Sequence, residues 1–77
     1  MMLTSSFLLN FKEKNNLFFK LLQEEDYDFR NKDIKISLEN NTNQINATIH
    51  ASSILELKIG VSAFIKSLEI IDKTLNI

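Results

Sequence analysis

The sequence contains no cysteine and no proline, only one glycine and one histidine, and no tryptophan among its 77 residues. Without cysteine the chain can form neither a disulfide nor a thiolate metal site, and His50 alone cannot hold zinc. A chain of this size buries only about 60% of its surface on folding, so its core is marginal. We therefore expect a single domain, residues 1–77, that gains stability by associating with a second copy or a partner.

The sequence also lacks an excess of charge of one sign and any long apolar run. Nine Lys and Arg residues against ten Asp and Glu leave a net charge of −1, which provides no overall basic field for nucleic acid or acidic membranes. Apolar runs such as Phe7-Leu8-Leu9 do not exceed three residues, far too short to cross a membrane. The first residues lack the basic segment of a secretory signal. We expect a cytoplasmic protein with no membrane partner.

Alternation of apolar and polar side chains predicts three β-strands. One face of the first strand holds Leu3, Ser5, Phe7, Leu9 and Phe11. The inward positions of the second and third are Ile34, Ile36 and Leu38, followed by Ile45, Ala47, Ile49 and Ala51. The turn predicted at 40–43 separates these two strands, because its Asn residues tolerate left-handed backbone. The pattern therefore predicts an antiparallel hairpin.

Two segments have the spacing of a helix. The first begins near Lys14, and its apolar side consists of Leu17, Phe18, Leu21 and Leu22. The polar segment 24–32 then predicts a loop. Ser53 and Glu56 match a capping box, which predicts the start of a second helix of roughly twenty residues.

The last helix has apolar residues on two sides. Its core face is predicted to hold residues spaced by three and four, namely Ile54, Leu57, Val61, Phe64, Leu68, Ile71 and Leu75. Nearly opposite lie Leu55, Ile59, Ala63, Ile70 and Ile77, with Lys66 among them. A helix lying on a sheet hides only one face, so the second stripe predicts a docking surface. Phe19, predicted to point away from the core side of the first helix, would belong to the same surface.

The element order β-α-β-β-α predicts an α+β fold. Two helices on one face of a three-stranded antiparallel sheet would cover its apolar side, and the strand order 1-3-2 keeps every neighbouring pair antiparallel. Gly60 falls inside the last helix, where it costs ~0.8–1 kcal/mol relative to Ala. Either a close approach by a neighbouring element or the tolerance of a small residue at this position would explain Gly60.

No spacing of residues predicts catalysis. The acidic run Glu24, Glu25, Asp26 and Asp28 lacks the glycine and the terminal glutamate of a calcium loop, which favours a solvated loop. His50 has no partner at the spacing of a catalytic triad. The only glycine lies in a helix, so neither a phosphate-binding loop nor the GXXG loop of a KH module is present. We predict no catalytic residue, no cofactor and no metal.

The stretch 45–65 resembles the CTAG/Pcc family, the small subunit of the KEOPS (EKC) complex. The family pattern is a strand ending in Ala, a capped Leu-x-x-Leu-Arg, small residues, and then Phe or Tyr followed by Leu. The corresponding positions here are Ala51, Ile54, Leu57-Lys58, Gly60, Ser62-Ala63 and Phe64-Ile65. The resemblance spans about residues 4–76, with Lys in place of the usual Arg at 58, Ser in place of a frequent Asn at 62, and no proline after the first helix.

The resemblance implies a non-catalytic subunit. In that complex a metal-dependent catalytic subunit transfers a threonylcarbamoyl group to an adenosine next to the anticodon of ANN-decoding tRNAs. The small subunit docks its two helices on a helical pair of the catalytic subunit, dimerises and contributes to tRNA binding. The partner-binding residues implied by position are Phe19, Leu55, Ile59, Ala63, Lys66 and Ile70, and Lys58 is the candidate tRNA contact. The implied location is cytoplasmic, and also nuclear in a eukaryote.

Two other functions remain open from the residues alone: a stand-alone RNA-binding module, and a small ligand-binding or catalytic dimer. The geometry of a dimer is also open. Pairing through a sheet edge is one arrangement. Pairing through the polar sheet face is the other, and that face is predicted to hold Ser6, Leu8, Lys35, Ser37, Asn46 and Thr48.

Overall fold

The computed structural model describes residues 2–27, 29, 32–41 and 43–75. Its elements are β1 (Leu3–Leu9), α1 (Asn15–Glu24), β2 (Ile34–Asn41), β3 (Gln44–Ala51) and α2 (Ile54–Leu75), with one turn of 3-10 helix at Lys12–Lys14. The strands form one sheet in the order β1-β3-β2, and both neighbouring pairs are antiparallel. The predicted α+β class, element order and strand order are confirmed.

The hydrophobic core lies between one face of this sheet and the two helices. The central strand β3 contributes four fully buried residues, Ile45, Ala47, Ile49 and Ala51. The helices add Phe18 and Leu22 from α1, and Phe64 and Ile71 from α2. The Phe64 ring packs against that of Phe7, with centroids 5.5 Å apart. Side chains on the opposite face of β1, such as Leu8, are exposed.

β1 ends at Leu9 rather than at Phe11 as the alternation predicted. Lys12 has a left-handed backbone with φ of 57°. Its N–H donates to Asn10 Oδ1 at 2.9 Å, and the Phe11 N–H donates to Asn15 Oδ1 at 2.5 Å. These local bonds turn the chain out of the sheet, and the Phe11 ring stacks on Phe18 instead, at a centroid distance of 3.7 Å.

The hairpin between β2 and β3 is tighter than the sequence indicated. Asn41 pairs with Gln44, so the predicted turn 40–43 is shortened to two residues, of which Thr42 lies outside the described part of the chain. Cross-strand pairing has extended β2 through Asn41, whereas β3 begins at Gln44, directly after the predicted turn. The predicted loop 24–32 begins one residue later than expected, because Glu24 ends α1, and its Asp28, Arg30 and Asn31 also lie outside the described residues.

α2 begins at the predicted cap. The Glu56 N–H donates to Ser53 Oγ at 3.1 Å, as an N-cap requires. The Glu56 carboxylate does not return to the Ser53 N–H. It accepts the Ser53 hydroxyl at 3.1 Å and the Asp33 N–H at 2.9 Å. The cap therefore also ties the start of α2 to the start of β2.

Three residues lie on different faces from those predicted. Ile54 is 76% exposed instead of in the core, because the first turn of α2 lies beyond the end of β3 at Ala51. The buried side of α1 centres on Phe18 and Leu22, so Leu17 is exposed. Phe19, predicted to point away, instead packs partly against the core.

Candidate partner-binding surface

The outer side of α2 carries the apolar stripe that the spacing predicted. Leu55 is 67% exposed and Ile70 is 53% exposed. Ile59 and Ala63, which lie between them, are partly buried, and Lys66 is exposed. These five residues are called the outer stripe below, and Ile77, the remaining predicted member, lies outside the described residues. On the other side of the same helix Phe64 and Ile71 are buried, so α2 has two apolar sides and covers one of them with its own sheet.

α1 extends this surface at the C-terminal end of the stripe. A groove of about 290 Å³ separates the two helices, and it is lined by Leu21, Glu24, Glu25, Ile70, Ile71 and Thr74. Leu21, predicted as core, packs against the core cluster, but it is only partly buried and also lines this groove. The sequence carried no signal for this second contact, because it depends on where the other helix lies.

Phe19 does not join the outer stripe as an exposed residue. It was predicted to be a partner-binding residue, but its side chain is partly buried and packs against the core cluster. It lies next to the buried Phe18 in sequence, so it flanks the buried face of α1 rather than opposing it. Leu17, at 44% exposure, is the apolar residue of α1 that reaches solvent.

Charged residues border the apolar surface. Lys66 lies within the outer stripe, and Glu24 and Glu25 line the groove below Ile70. Lys58, the candidate tRNA contact, is also exposed on α2. At about 100° per residue it lies roughly 60° or more from every member of the stripe. The surface thus has an apolar centre with both signs of charge around it, and the Lys58 ammonium lies outside it.

A second cavity, of about 460 Å³, lies where the end of α1 meets the edge strand β2. Apolar side chains of β2 form one wall, and Tyr27 and Phe29 lie on the other side with their rings parallel and 5.6 Å apart. The Tyr27 hydroxyl oxygen is shielded from solvent and has no well-formed hydrogen bond among the described residues. Burial raises the pKa of Tyr27, the nearby Ser67 hydroxyl opposes this rise, and the charge of Glu25 adds to it.

The described residues do not bring together a metal-binding cluster. No three His, Asp or Glu side chains in 2–27, 29, 32–41 and 43–75 lie close enough to share an ion. His50 lies on the outer face of the sheet between Thr4 and Lys35 of the neighbouring strands. No helix in the described part of the chain has both the length and the apolar character needed to cross a bilayer.

Comparisons of the chain with protein-family models, with curated proteins and with solved structures find no match in any of the three. A functional proposal therefore depends on the residues and on the fold that they form.

Proposed function

We propose that the chain is a non-catalytic subunit of a KEOPS-type complex, which docks its helices on the catalytic threonylcarbamoyltransferase subunit, forms a homodimer and assists tRNA binding weakly through Lys58. The observation that carries the proposal is the outer stripe, with Leu55 and Ile70 more than half exposed on a helix whose other side is buried. The fold has the β-α-β-β-α order of the family that the sequence resembles. Such a subunit would act in the cytoplasm, and in a eukaryote also in the nucleus.

The size of the exposed apolar side chains supports a protein partner. Fully burying one Leu or Ile side chain contributes about 1.5–3 kcal/mol. Leu55 and Ile70 are 67% and 53% exposed, so covering what remains of both would contribute roughly 2–4 kcal/mol on docking. The groove beside Ile70 and Leu21 is shaped by two helices. A helical surface, whose side chains form ridges, packs into a groove of this kind. The partner proposed, as the resemblance implies, is a pair of helices on the catalytic subunit.

The first prediction compares two Ile→Asp substitutions on α2. Ile70→Asp should abolish binding to the catalytic subunit without loss of the fold, because an unpaired carboxylate in an apolar interface is costly. Ile65→Asp is the matched control. Ile65 is also exposed, at 41%, but lies about 140° around the helix from Ile70. Co-purification of each variant with a candidate catalytic subunit measures binding, and circular dichroism measures folding.

Four outcomes decide the proposal. Loss of binding in Ile70→Asp alone supports it, whereas equal binding by both variants contradicts the assignment of the stripe. Unfolding of Ile70→Asp would show that the stripe belongs to the core. Phe64→Ala, which removes a fully buried ring, provides the reference for a core defect and should cost ~3–5 kcal/mol. Salt-sensitive tRNA binding by the isolated chain would favour the RNA-binding module instead.

A further inference from the structure

The cavity between the end of α1 and β2 plays no part in the proposed function. Its volume of about 460 Å³ falls within the range of small-molecule sites, which is roughly 300–1,000 Å³. Among the described residues that line it, only Glu25 also lines the groove beside Ile70. The cavity is therefore distinct from the surface assigned to the protein partner.

Aliphatic side chains form much of the lining. Leu22 of α1 is 1% exposed and belongs to the core. Ile34, Ile36 and Leu38 follow one another on the inward face of β2, and each is only partly buried by the chain itself. A ligand in the cavity would remove further apolar area of these three side chains from water, which is favourable for binding.

Two aromatic rings complete the apolar lining. The Tyr27 and Phe29 rings are parallel to within 2°, with their centroids 5.6 Å apart. The Tyr27 hydroxyl is shielded from solvent near Ser67, which is not among the described residues that line the cavity. The ring of Tyr27 thus borders the cavity while its hydroxyl group lies away from it. Aromatic rings pair favourably at centroid distances of about 4.5–7 Å, so the ring of a ligand can join this stacked pair.

The polar groups of the cavity favour an uncharged ligand. Glu25 and Lys35 are exposed and contribute one charge of each sign, so together they favour neither an anion nor a cation. A ligand ion would leave its water shell for a lining that is mostly apolar, which is costly. Gln23, also exposed, adds a neutral amide that can both donate and accept a hydrogen bond.

We infer that this cavity binds a neutral, planar aromatic molecule the size of two fused rings. An apolar cavity of about 150 Å³ holds benzene. The cavity here is about three times as large, which leaves room for polar substituents near the Gln23 amide. The inference does not depend on the function proposed above.

The probe that tests the site is 2-naphthol, which is planar, bicyclic and uncharged at neutral pH. Added to the wild-type chain, it should shift the methyl resonances of Ile34 and Ile36 until they saturate, and leave those of Leu55 on the outer stripe unmoved. Ile36→Phe should weaken the affinity by about tenfold or more, because the added ring occupies volume that the ligand needs. Leu8→Phe makes a similar change at an exposed position of β1, and its affinity should match that of wild type.

A saturated analogue tests whether the cavity selects an aromatic ring. The alcohol 2-decalol has the same carbon skeleton but is neither planar nor aromatic, so wild type should bind it several-fold more weakly than 2-naphthol. Phe29→Leu keeps a large apolar side chain and removes the ring, and it should reduce this preference. Equal binding of the two compounds by wild type would overturn the assigned class of ligand.

Other results would overturn the site itself. Shifts centred on Leu55 and Ile70 would show that the probe binds the outer stripe, and no shift at millimolar probe would exclude a site for this class of molecule. Should circular dichroism show that Ile36→Phe is unfolded, Phe29→Leu decides, because Phe29 lies outside any helix or strand. Unchanged affinity of that variant for 2-naphthol would contradict the inference.

Two further measurements separate this site from the proposed function. Ile70→Asp should leave the affinity for 2-naphthol unchanged, and Ile36→Phe should leave binding to the catalytic subunit unchanged. Displacement of bound 2-naphthol by the catalytic subunit would place the cavity in the protein interface and overturn the inference. Failure of Ile70→Asp to reduce catalytic-subunit binding would contradict only the proposed function.

Discussion

Gly60 sets how closely α2 can lie on the sheet. It is buried in the middle of the helix, and a Cβ at this position would lie 2.8 Å from Ile49 Cγ2 and 2.9 Å from Ile34 Cγ2. Both methyl groups belong to β-branched side chains that pack in or against the core, which leaves them little freedom to move. Of the two explanations that the sequence allowed, the structure supports a close approach.

Gly60→Ala should therefore destabilise the protein even though Ala is the better helix former. Overpacking costs ~1–3 kcal/mol, while the gain in helix propensity is ~1 kcal/mol, so the free energy of unfolding should fall. Chemical denaturation followed by circular dichroism measures the change. Ser62→Ala, at an exposed position of the same helix, is the control and should be neutral or slightly stabilising. A Gly60→Ala variant more stable than wild type would disprove the close approach.

Tyr27 should make stability depend on alkaline pH. Its pKa is raised in the folded chain, chiefly by burial, so the unfolded chain releases the phenolic proton at lower pH. The stabilising contribution is complete below the unfolded pKa of about 10 and is lost as pH rises through the higher folded pKa. Between pH ~8 and ~11, wild type should thus lose more free energy of unfolding than Tyr27→Phe. Equal losses, measured by urea denaturation, would contradict this.

At the scale of elements, residues at the start of α2 cap the helix and also connect it to β2. Ser53 caps the helix, and Glu56 connects the cap to the Asp33 N–H at the start of β2. The Ser52 hydroxyl also donates to the Asp33 carboxylate. These bonds hold the polar residues that precede β2 and α2 together at one end of the sheet. At that end Ala51 of β3 pairs with both Leu3 and Ile34.

Loss of the cap should weaken the whole fold. Ser53→Ala removes the acceptor for the Glu56 N–H and should lower the free energy of unfolding by about 1 kcal/mol. Ser53→Asn restores an acceptor and should recover most of that loss. Thermal unfolding of wild type and both variants tests this, and equal melting temperatures of wild type and Ser53→Ala would show that the cap does not contribute.

The helices and strands could be predicted from the sequence, whereas the burial of some of their side chains could not. Period two in β3 placed Ile45 and Ile49 in the core because every second residue of a central strand faces the same way. The assignments of Ile54 and Phe19 were wrong for different reasons. Ile54 obeys the helical period but lies beyond the end of the sheet. Phe19 packs partly against the core cluster, and the spacing of residues within one helix does not show which neighbouring elements cover it.

For the whole molecule, the sequence predicted the topology because each neighbouring strand pair had to be antiparallel, and the paired register confirms it. It also predicted the apolar outer stripe, of which Leu55 and Ile70 are exposed. The sequence alone could not choose between an edge dimer and a face dimer.

Tyr27 is the only tyrosine, and the chain has no tryptophan. Nearly all of the ultraviolet emission of the protein therefore arises from one ring at the junction of α1, β2 and α2, next to Ser67. Emission would report detachment of this junction, and far-ultraviolet dichroism would report the helices. If the emission changes at a lower denaturant concentration than the dichroism, the segment after α1 opens before the rest of the molecule.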